Sequence, residues 1–151
     1  MLGELTSEQI EHLLHSEVVG RIGCHAENRT YIVPINYAYD GEFLYGHAAP
    51  GMKLEMMRAN PEICFQVDHR AGLSDWQSVI AWGTFEELQG FDATRAMELL
   101  LDRLLPLLAG ADPSATGDKA RATLAPGTPV EHLVVYRIRL RERTGRFEQS
   151  K

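Results

Sequence analysis

The chain has 151 residues, of which 44% are hydrophobic and 24% charged, a composition typical of one globular domain with its own core. Its formal net charge of -6 argues against broad nucleic-acid binding, because that function needs basic surface to neutralise phosphates. No apolar run approaches the ~20 residues that a membrane span needs, and no apolar signal core follows the start, where Glu4 and Glu8 lie. We therefore expect a single cytoplasmic domain over residues 1–151, with Cys24 and Cys64 as free buried thiols.

The first predicted element is a helix over residues 7–15. Thr6 with Gln9 three residues later fits a capping box. His12 and His15 lie three residues apart on this helix, a spacing at which two histidines could hold a metal ion. No carboxylate or cysteine accompanies them at ligand spacing, so we predict solvated histidines and no metal site.

Alternating and β-branched residues predict strands over residues 17–25, 30–39 and 42–47, and Asp40-Gly41 predicts a hairpin between the last two. Pro34 cannot donate to a strand ladder, so its strand is expected at a sheet edge or bulged at that point. Either arrangement leaves the N–H groups of Val33 and Ile35 free to bind another group. A plain edge strand with water on those groups is the alternative.

A short helix is predicted over residues 52–59, closed by Asn60-Pro61 because the residue before a proline is pushed out of the α region. Lys53 falls in its first turn, where the helix dipole is positive and free N–H groups already form an anion site. A lysine at that end indicates a bound anion such as a phosphate; a solvated lysine at a frayed helix start is the alternative. His47 precedes it by six residues, and the small residues between them leave room for a flat ligand.

Further strands are predicted over residues 63–68, 77–88 and 133–141. A loop is expected at 69–75, and a surface connection with a possible short helical turn over 109–129. Between them Asp92 is expected to cap a helix that runs to about residue 105. Its apolar face is expected to pack in the core and consists of Met97, Leu100, Leu101, Leu104 and Leu108. Gly83 predicts a bulge, and Trp82 is expected in the core or an interface. The row Arg137, Arg139 and Arg141 is either an edge-protecting solvated face or a contact for a phosphate or partner. About six mostly antiparallel strands with inserted helices indicate a small β-barrel.

The stretches LYGHAAPGMK and SVIAWGTFEEL, with Asn60-Pro61 between them, resemble the flavin-binding split-barrel proteins of the pyridoxamine 5'-phosphate oxidase superfamily. The similarity extends from about Thr6 to Arg146 and is greatest to the nitroimidazole-resistance-like branch. This resemblance implies a mainly β, antiparallel split barrel that binds FMN in clefts at the interface of a homodimer.

The resemblance also implies a role for individual residues. Backbone groups of the strand around Pro34 are expected to contact the flavin ring, Lys53 the phosphate, and His47 the substrate side of the flavin. The full set of residues that it implies for cofactor binding is Val33, Pro34, Ile35, Asn36, His47, Met52, Lys53 and Ser78. Met52 stands where the oxidases proper carry an arginine, and their C-terminal substrate-binding segment has no counterpart in residues 137–151. The resemblance therefore does not imply oxidation of pyridoxamine phosphate.

The leading hypothesis is an FMN-dependent oxidoreductase for a small planar or nitro-aromatic molecule, with His47 as the catalytic proton donor. One alternative is a haem-binding split barrel with His47 as axial ligand. The other is a flavin-binding module without turnover. The expected partners are a small-molecule substrate and a second copy of the chain, with neither nucleic acid nor membrane.

Overall fold

The computed structural model describes residues 1–107 and 132–150, and in this part of the chain eight strands form one sheet with three α-helices packed on it. The elements in chain order are β1 (Leu2–Glu4), α1 (Ser7–Ser16), β2 (Val19–Ala26), β3 (Arg29–Asn36), β4 (Ala38–Tyr39), β5 (Phe43–Ala48), α2 (Met52–Ala59), β6 (Glu62–Gly72), β7 (Asp75–Leu88), α3 (Gly90–Leu104), a 3-10 turn (Leu105–Leu107) and β8 (Val134–Glu148). None of the described helices is both long and apolar enough to cross a membrane.

The sheet is antiparallel throughout, with the strand order β3-β2-β6-β7-β8-β5-β4 and β1 paired to β8. Strands β3 and β4 lie at opposite ends of this order, yet only Tyr37 separates them in the chain. Because one residue spans at most about 3.6 Å, the sheet must curl until its two ends are neighbours. The two ends are not hydrogen-bonded to each other as strands, so the barrel is split. The predicted fold class is confirmed, with eight strands in place of about six.

Tyr37 holds this junction from inside the barrel. Its side chain is fully buried, its hydroxyl donates to the carbonyl oxygen of Leu14 at 2.8 Å, and its ring meets Phe65 edge-on at a centroid distance of 5.0 Å. Burial is the largest cause that raises the pKa of Tyr37, so the hydroxyl remains a donor at every physiological pH. Tyr37 thereby ties α1 to the place where the sheet turns back on itself.

Two apolar clusters fill the molecule. The main cluster lies inside the barrel, where α1 and α2 pack against the inner face of the sheet. The second lies on the outer face of β4, β5 and β8, which α3 covers with Ala96, Met97, Leu100 and Leu104. The predicted apolar face of this helix is therefore confirmed as core packing, apart from its last member, Leu108, which lies outside the described residues. The outer face of β3, β2, β6 and β7 lacks such a cover within the described residues.

The strand ends differ from the prediction where both sheet faces are exposed. The expected loop at 69–75 is the tip of a hairpin, because β6 continues to Gly72 and β7 begins at Asp75. Likewise β8 runs on to Glu148 and pairs with β7 and β1, whereas the predicted strand ends at residue 141. A Cβ on Gly145 would meet Leu5 and Ile10 at 2.8 Å, so this glycine allows close packing inside a strand and does not mark a turn.

The predictions of helix caps and of a bulge are confirmed in part. The capping box of Thr6 and Gln9 is present, and the register of β7 and β8 shifts at Gly83, as expected for a bulge. The predicted cap at Asp92 is wrong, since α3 starts at Gly90 after Gln89, whose side chain makes no capping bond. Strand 1 was not predicted, because three residues carry too little pattern. The connection predicted over 109–129 lies outside the described residues.

We expect Tyr37→Phe to lower the free energy of unfolding by about 1–3 kcal/mol, because it leaves the buried carbonyl of Leu14 without this donor. Urea denaturation followed by circular dichroism measures the change. Tyr31→Phe is the matched control, since Tyr31 lies half-buried on the adjoining strand and its hydroxyl has no hydrogen-bond partner among the described residues. Equal losses in both variants would show that the Tyr37 hydroxyl does not secure the junction.

Candidate functional site

The helix α2 has the predicted bounds and is fixed at both ends. Leu54 and Met57 are buried in the barrel core. Its C-terminal neighbour Asn60 donates from Nδ2 to the carbonyl oxygen of His25 at 2.8 Å and closes the helix by donating its N–H to Met56. The N-cap residue, Gly51, has extended backbone and no side-chain capping bond. Among residues 1–107 and 132–150, therefore, no side chain caps the first-turn N–H groups of α2.

Lys53 lies in this uncapped first turn and is half-buried. Across residues 1–107 and 132–150, no carboxylate comes within ion-pair distance of it. Burial is the main cause that lowers the pKa of Lys53, and the thiol of Cys24 acts weakly in the opposite direction. A half-buried cation without a described counter-ion, next to free N–H groups, is an arrangement that a bound anion would stabilise.

His47 lies near the end of β5, with its side chain on the opposite sheet face to the core residues Leu44 and Ala48. It is half-buried. Burial is the first cause that lowers the pKa of His47, and the positive charge of Lys53 is the second. The side chain therefore lies outside the barrel core, and at neutral pH its imidazole is in the neutral form.

The third group of predicted residues lies on the edge strand β3, which in the described part of the chain pairs only with β2. The N–H of Tyr37 donates to the carbonyl oxygen of Val18 at 2.9 Å, and this bond sets the phase of the ladder. Because bonded and non-bonded pairs alternate in antiparallel strands, Val33 and Ile35 direct their N–H groups toward β2. The prediction that these two N–H groups are free is wrong.

The same phase explains why a proline is tolerated in β3. Pro34 lies in a non-bonded pair with Arg21, so its missing N–H would have faced outward in any case. The outward N–H groups of this edge belong to Thr30, Ile32 and Asn36. Sequence reasoning missed Ile32, because the phase depends on the hydrogen bond of Tyr37, three residues beyond the proline.

Ser78 stands apart from His47. It pairs with Asp68 on one side and Arg146 on the other, and its Oγ accepts a hydrogen bond from Gln66 Nε2 at 3.1 Å. His47 pairs with Val135, and Val135 pairs with Leu88 at the end of β7. Leu88 lies roughly 30 Å of strand from Ser78.

Within one chain, Lys53 lies near enough to His47 to lower its pKa, whereas Ser78 lies far along β7 from His47. The register through β2 and β6 places Pro34 level with Ile80, two residues from Ser78. Met52 is exposed beside Lys53.

The arginine row of β8 is occupied by carboxylates. Arg137 pairs with Glu86 at 3.0 Å, Arg139 pairs with Glu42 at 3.1 Å, and Arg141 pairs with Glu62. Arg137 and Arg139 also lie over the ring of Phe43. These contacts favour a solvated, ion-paired face over a phosphate site. The row protects no sheet edge, because β8 lies between β7 and β5.

A family model described as pyridoxamine 5'-phosphate oxidase matches residues 6–147, which is nearly the whole chain. The chain belongs to the pyridoxamine 5'-phosphate oxidase family. An uncharacterized protein of Rhizobium meliloti is 33% identical over 84 residues, and the match spans 56% of each chain.

Solved structures of this oxidase family's fold agree with the split barrel. The crystal structure of a FAD-binding protein from Mesorhizobium loti has a TM-score of 0.77 at 28% identity and covers 99% of both chains. A protein of Bacteroides thetaiotaomicron described as a 5-nitroimidazole antibiotic resistance protein has a TM-score of 0.72 at 19% identity, covering 97% of this chain and 87% of its own. The second likeness shows the fold alone.

The other feature of the oxidase-family barrel that bears on function is its uncovered outer face. Ile32 is 66% exposed there, and Val19 and Ile80 are exposed beside it. A groove of about 340 Å³ crosses this face, lined in part by Ile32, Trp82 and Cys64. Both cysteines are free, as predicted, with Cys24 buried and Cys64 half-buried.

We expect the free energy of unfolding to fall as the pH drops below about 6.5, the ordinary histidine pKa. The unfolded chain then binds a proton that folded His47, with its lowered pKa, does not bind. His47→Gln should flatten this dependence, by no more than the one-proton limit of about 1.4 kcal/mol per pH unit. Urea titrations between pH 5.5 and 7.5 measure the free energy of unfolding of the parent and of His47→Gln.

His132→Gln, which removes an exposed histidine, is measured alongside as the control. A His47→Gln profile as steep as that of the parent would contradict the assignment of a buried, neutral imidazole.

Proposed function

We propose that this chain is an FMN-dependent oxidoreductase that acts on a small planar or nitro-aromatic molecule. Membership of the pyridoxamine 5'-phosphate oxidase family supports a flavin site, and a similar structure from Mesorhizobium loti is named as a FAD-binding protein. The observation that carries the proposal is the half-buried Lys53, which has no counter-ion among the described residues.

The residues at the start of α2 fit a flavin phosphate. Lys53 would supply a charge-assisted hydrogen bond, and the uncapped N–H groups of the first turn would supply further donors. The other basic row of the chain, on β8, is already paired with carboxylates. We therefore assign the phosphate to Lys53, with Met52 beside it.

The open edge of β3 fits the ring of the cofactor. The N–H groups of Ile32 and Asn36 point outward, and the carbonyl groups of the same edge alternate with them. A flavin pyrimidine ring carries both acceptors and a donor, so an unpaired strand edge matches its hydrogen-bonding pattern. Pro34 keeps the edge from pairing with another strand, because it offers no N–H there.

His47 is proposed to handle the proton of the reaction. FMN, when bound, supplies the electron transfer, and the protein supplies orientation and proton transfer. Because burial and Lys53 lower the pKa of His47, its imidazole starts neutral and carries one N–H and one free ring nitrogen. Charge neutralisation of Lys53 by an anion would remove one of the two causes and raise the pKa toward the range useful for a proton donor.

We further propose that two copies of the chain complete the site. Ser78, which the family resemblance assigns to the cofactor, lies far along β7 from His47 in the same chain. The uncovered sheet face around Ile32 and Trp82 offers an apolar surface for a second copy. A homodimer would allow Ser78 of one copy to approach the cofactor held by the other.

We expect Lys53→Ala to weaken FMN binding by about 1–3 kcal/mol, the range for losing a hydrogen bond to a charged group. Riboflavin, which has no phosphate, should bind the parent and the variant equally. Flavin fluorescence titrations of flavin-free protein measure both affinities. FAD is titrated in parallel, because it carries its phosphates in a diphosphate and distinguishes the two flavin cofactors.

Arg58→Ala is the matched control, since Arg58 lies on the same helix but is paired with Glu87 at 2.6 Å and should leave FMN binding unchanged. Equal FMN affinity of the parent and Lys53→Ala would remove Lys53 from the site. A purified chain with a Soret band and no flavin absorbance would favour the haem-binding alternative.

We expect light scattering at micromolar concentration to give twice the chain mass of 16.9 kDa. Ile32→Glu should shift the protein toward monomer, because it places a charge in the apolar interface. Leu73→Glu is the control, since Leu73 is 89% exposed at the hairpin tip and lies off this face. A monomeric parent protein would contradict the homodimer.

A further inference from the structure

A groove begins beside Lys53, between α2 and the hairpin that joins β2 to β3. Its volume is about 330 Å³, which is within the ~300–1,000 Å³ of ordinary ligand pockets. The helix side of this α2 groove consists of Met52, Glu55, Met56 and Ala59. These positions form one stripe of a helix, because residues three and four apart are neighbours on its surface. Met52 directly precedes Lys53, so the α2 groove opens next to the place assigned to the flavin phosphate.

The opposite wall is the end of the β2–β3 hairpin. Ala26 lies two residues after Cys24, whose side chain is buried in the barrel core, so both side chains leave β2 on the same face. Arg29 pairs directly with Ala26 and therefore shares that face, which is the face against which α2 packs. Glu27, in the two-residue turn between the strands, completes the wall.

The polar groups of the α2 groove are not neutralised by one another. Arg29 is exposed, and across the ranges 1–107 and 132–150 no carboxylate comes within ion-pair distance of it. Glu27 and Glu55 line the same groove without an ion pair in those ranges. The groove thus offers a ligand one guanidinium group and two carboxylates.

The remaining lining is apolar and suits a flat ring. Met56 is buried and Met52 is 44% exposed, and thioether side chains adapt their shape and make favourable contacts with aromatic rings. Ala26 and Ala59 have small side chains that leave space between the walls. Met52 stands where the oxidases proper carry an arginine, so at the mouth of the groove this chain has apolar surface in place of a second charge.

The charge balance of the α2 groove excludes two simpler ligands. Its two carboxylates outnumber its single guanidinium group, which disfavours a free anion. No group of three or more histidine, cysteine or acidic side chains in the described part of the chain is arranged to hold a metal ion. What fits is a ligand with a flat ring, several hydrogen-bond donors and a phosphate at the Lys53 end.

We propose that the α2 groove binds the adenosine half of FAD, so that the site accepts the dinucleotide as well as FMN. This inference rests on the flavin site proposed at Lys53 and adds a subsite to it. Lys53 and the first turn of α2 hold one phosphate of the diphosphate. Arg29 reaches the other phosphate from the hairpin, because a guanidinium group binds phosphate oxygens with paired hydrogen bonds.

The adenosine then lies along the helix stripe. Its adenine ring packs against the thioethers of Met52 and Met56. The carboxylates of Glu27 and Glu55 are acceptors only, and they match the ribose hydroxyl groups and the adenine amino group, which are donors. FMN ends at its phosphate and makes none of these contacts.

The test is isothermal titration calorimetry of the flavin-free full chain with FMN and with FAD. The parent should bind FAD at least about tenfold more tightly than FMN. Ala59→Tyr fills the groove with a ring, and Arg29→Gln removes the charge for the second phosphate. Each variant should weaken FAD binding about tenfold and leave FMN binding unchanged. Circular dichroism confirms that each variant is folded.

Arg58→Tyr is the matched control, because it places the same ring one residue away, at a side chain that pairs with Glu87 and does not line the groove. It should bind FAD as the parent does. The subsite alone is overturned if Lys53→Ala weakens FMN binding but the parent binds FMN and FAD equally. It is also overturned if Ala59→Tyr and Arg58→Tyr bind FAD alike, or if Arg29→Gln or Ala59→Tyr weakens FMN as much as FAD. A parent that binds neither flavin would overturn the proposed function and this subsite with it.

Discussion

The structure depends on one covalent constraint, which is the single residue between the two ends of the sheet. Tyr37 alone connects β3 to β4, so the two ends of the seven-strand path must lie side by side. The sheet must therefore curl. The buried hydroxyl of Tyr37 bonds to Leu14, which places α1 against the same junction. The bond from the N–H of Tyr37 to Val18 fixes which backbone groups of β3 face the open edge. Fold closure and the hydrogen-bonding pattern of the candidate site therefore have the same origin.

Paired and unpaired cations are distributed unevenly over this sheet and its helices, and this distribution supports the proposed site at Lys53. The arginines of β8 are paired across the sheet with Glu86, Glu42 and Glu62, so each is neutralised on an exposed face where an ion pair contributes little to stability. Lys53 is half-buried, has no counter-ion among the described residues, and lowers the pKa of His47. An anion at this position would offset the charge of Lys53 and would remove one of the two causes that lower the pKa of His47. The fold thus keeps a cation in an unfavourable state where the proposed cofactor would bring a negative charge.

The features of the fold and of the candidate site that depend on local sequence signals were predictable. The bounds of α2 follow from Asn60-Pro61 and from helical spacing, and the position of Lys53 in the first turn follows from those bounds. The phase of the β3 edge was not predictable, because it depends on a tertiary hydrogen bond and not on Pro34 itself. The continuation of β8 was missed because Gly145 is a typical turn residue, and its real role depends on contacts with distant parts of the chain. The separation of Ser78 from His47 likewise depends on strand register, which a single sequence does not specify.

The central claim is that the anion at the start of α2 is the phosphate of a flavin. A crystal structure of the chain grown with FMN tests it most directly. The account predicts a phosphate oxygen about 2.8 Å from Nζ of Lys53, the length of a charge-assisted hydrogen bond, with the flavin ring along the free edge of β3. A flavin whose phosphate lies against the arginine row of β8, or one that makes no contact with Lys53, would contradict the account.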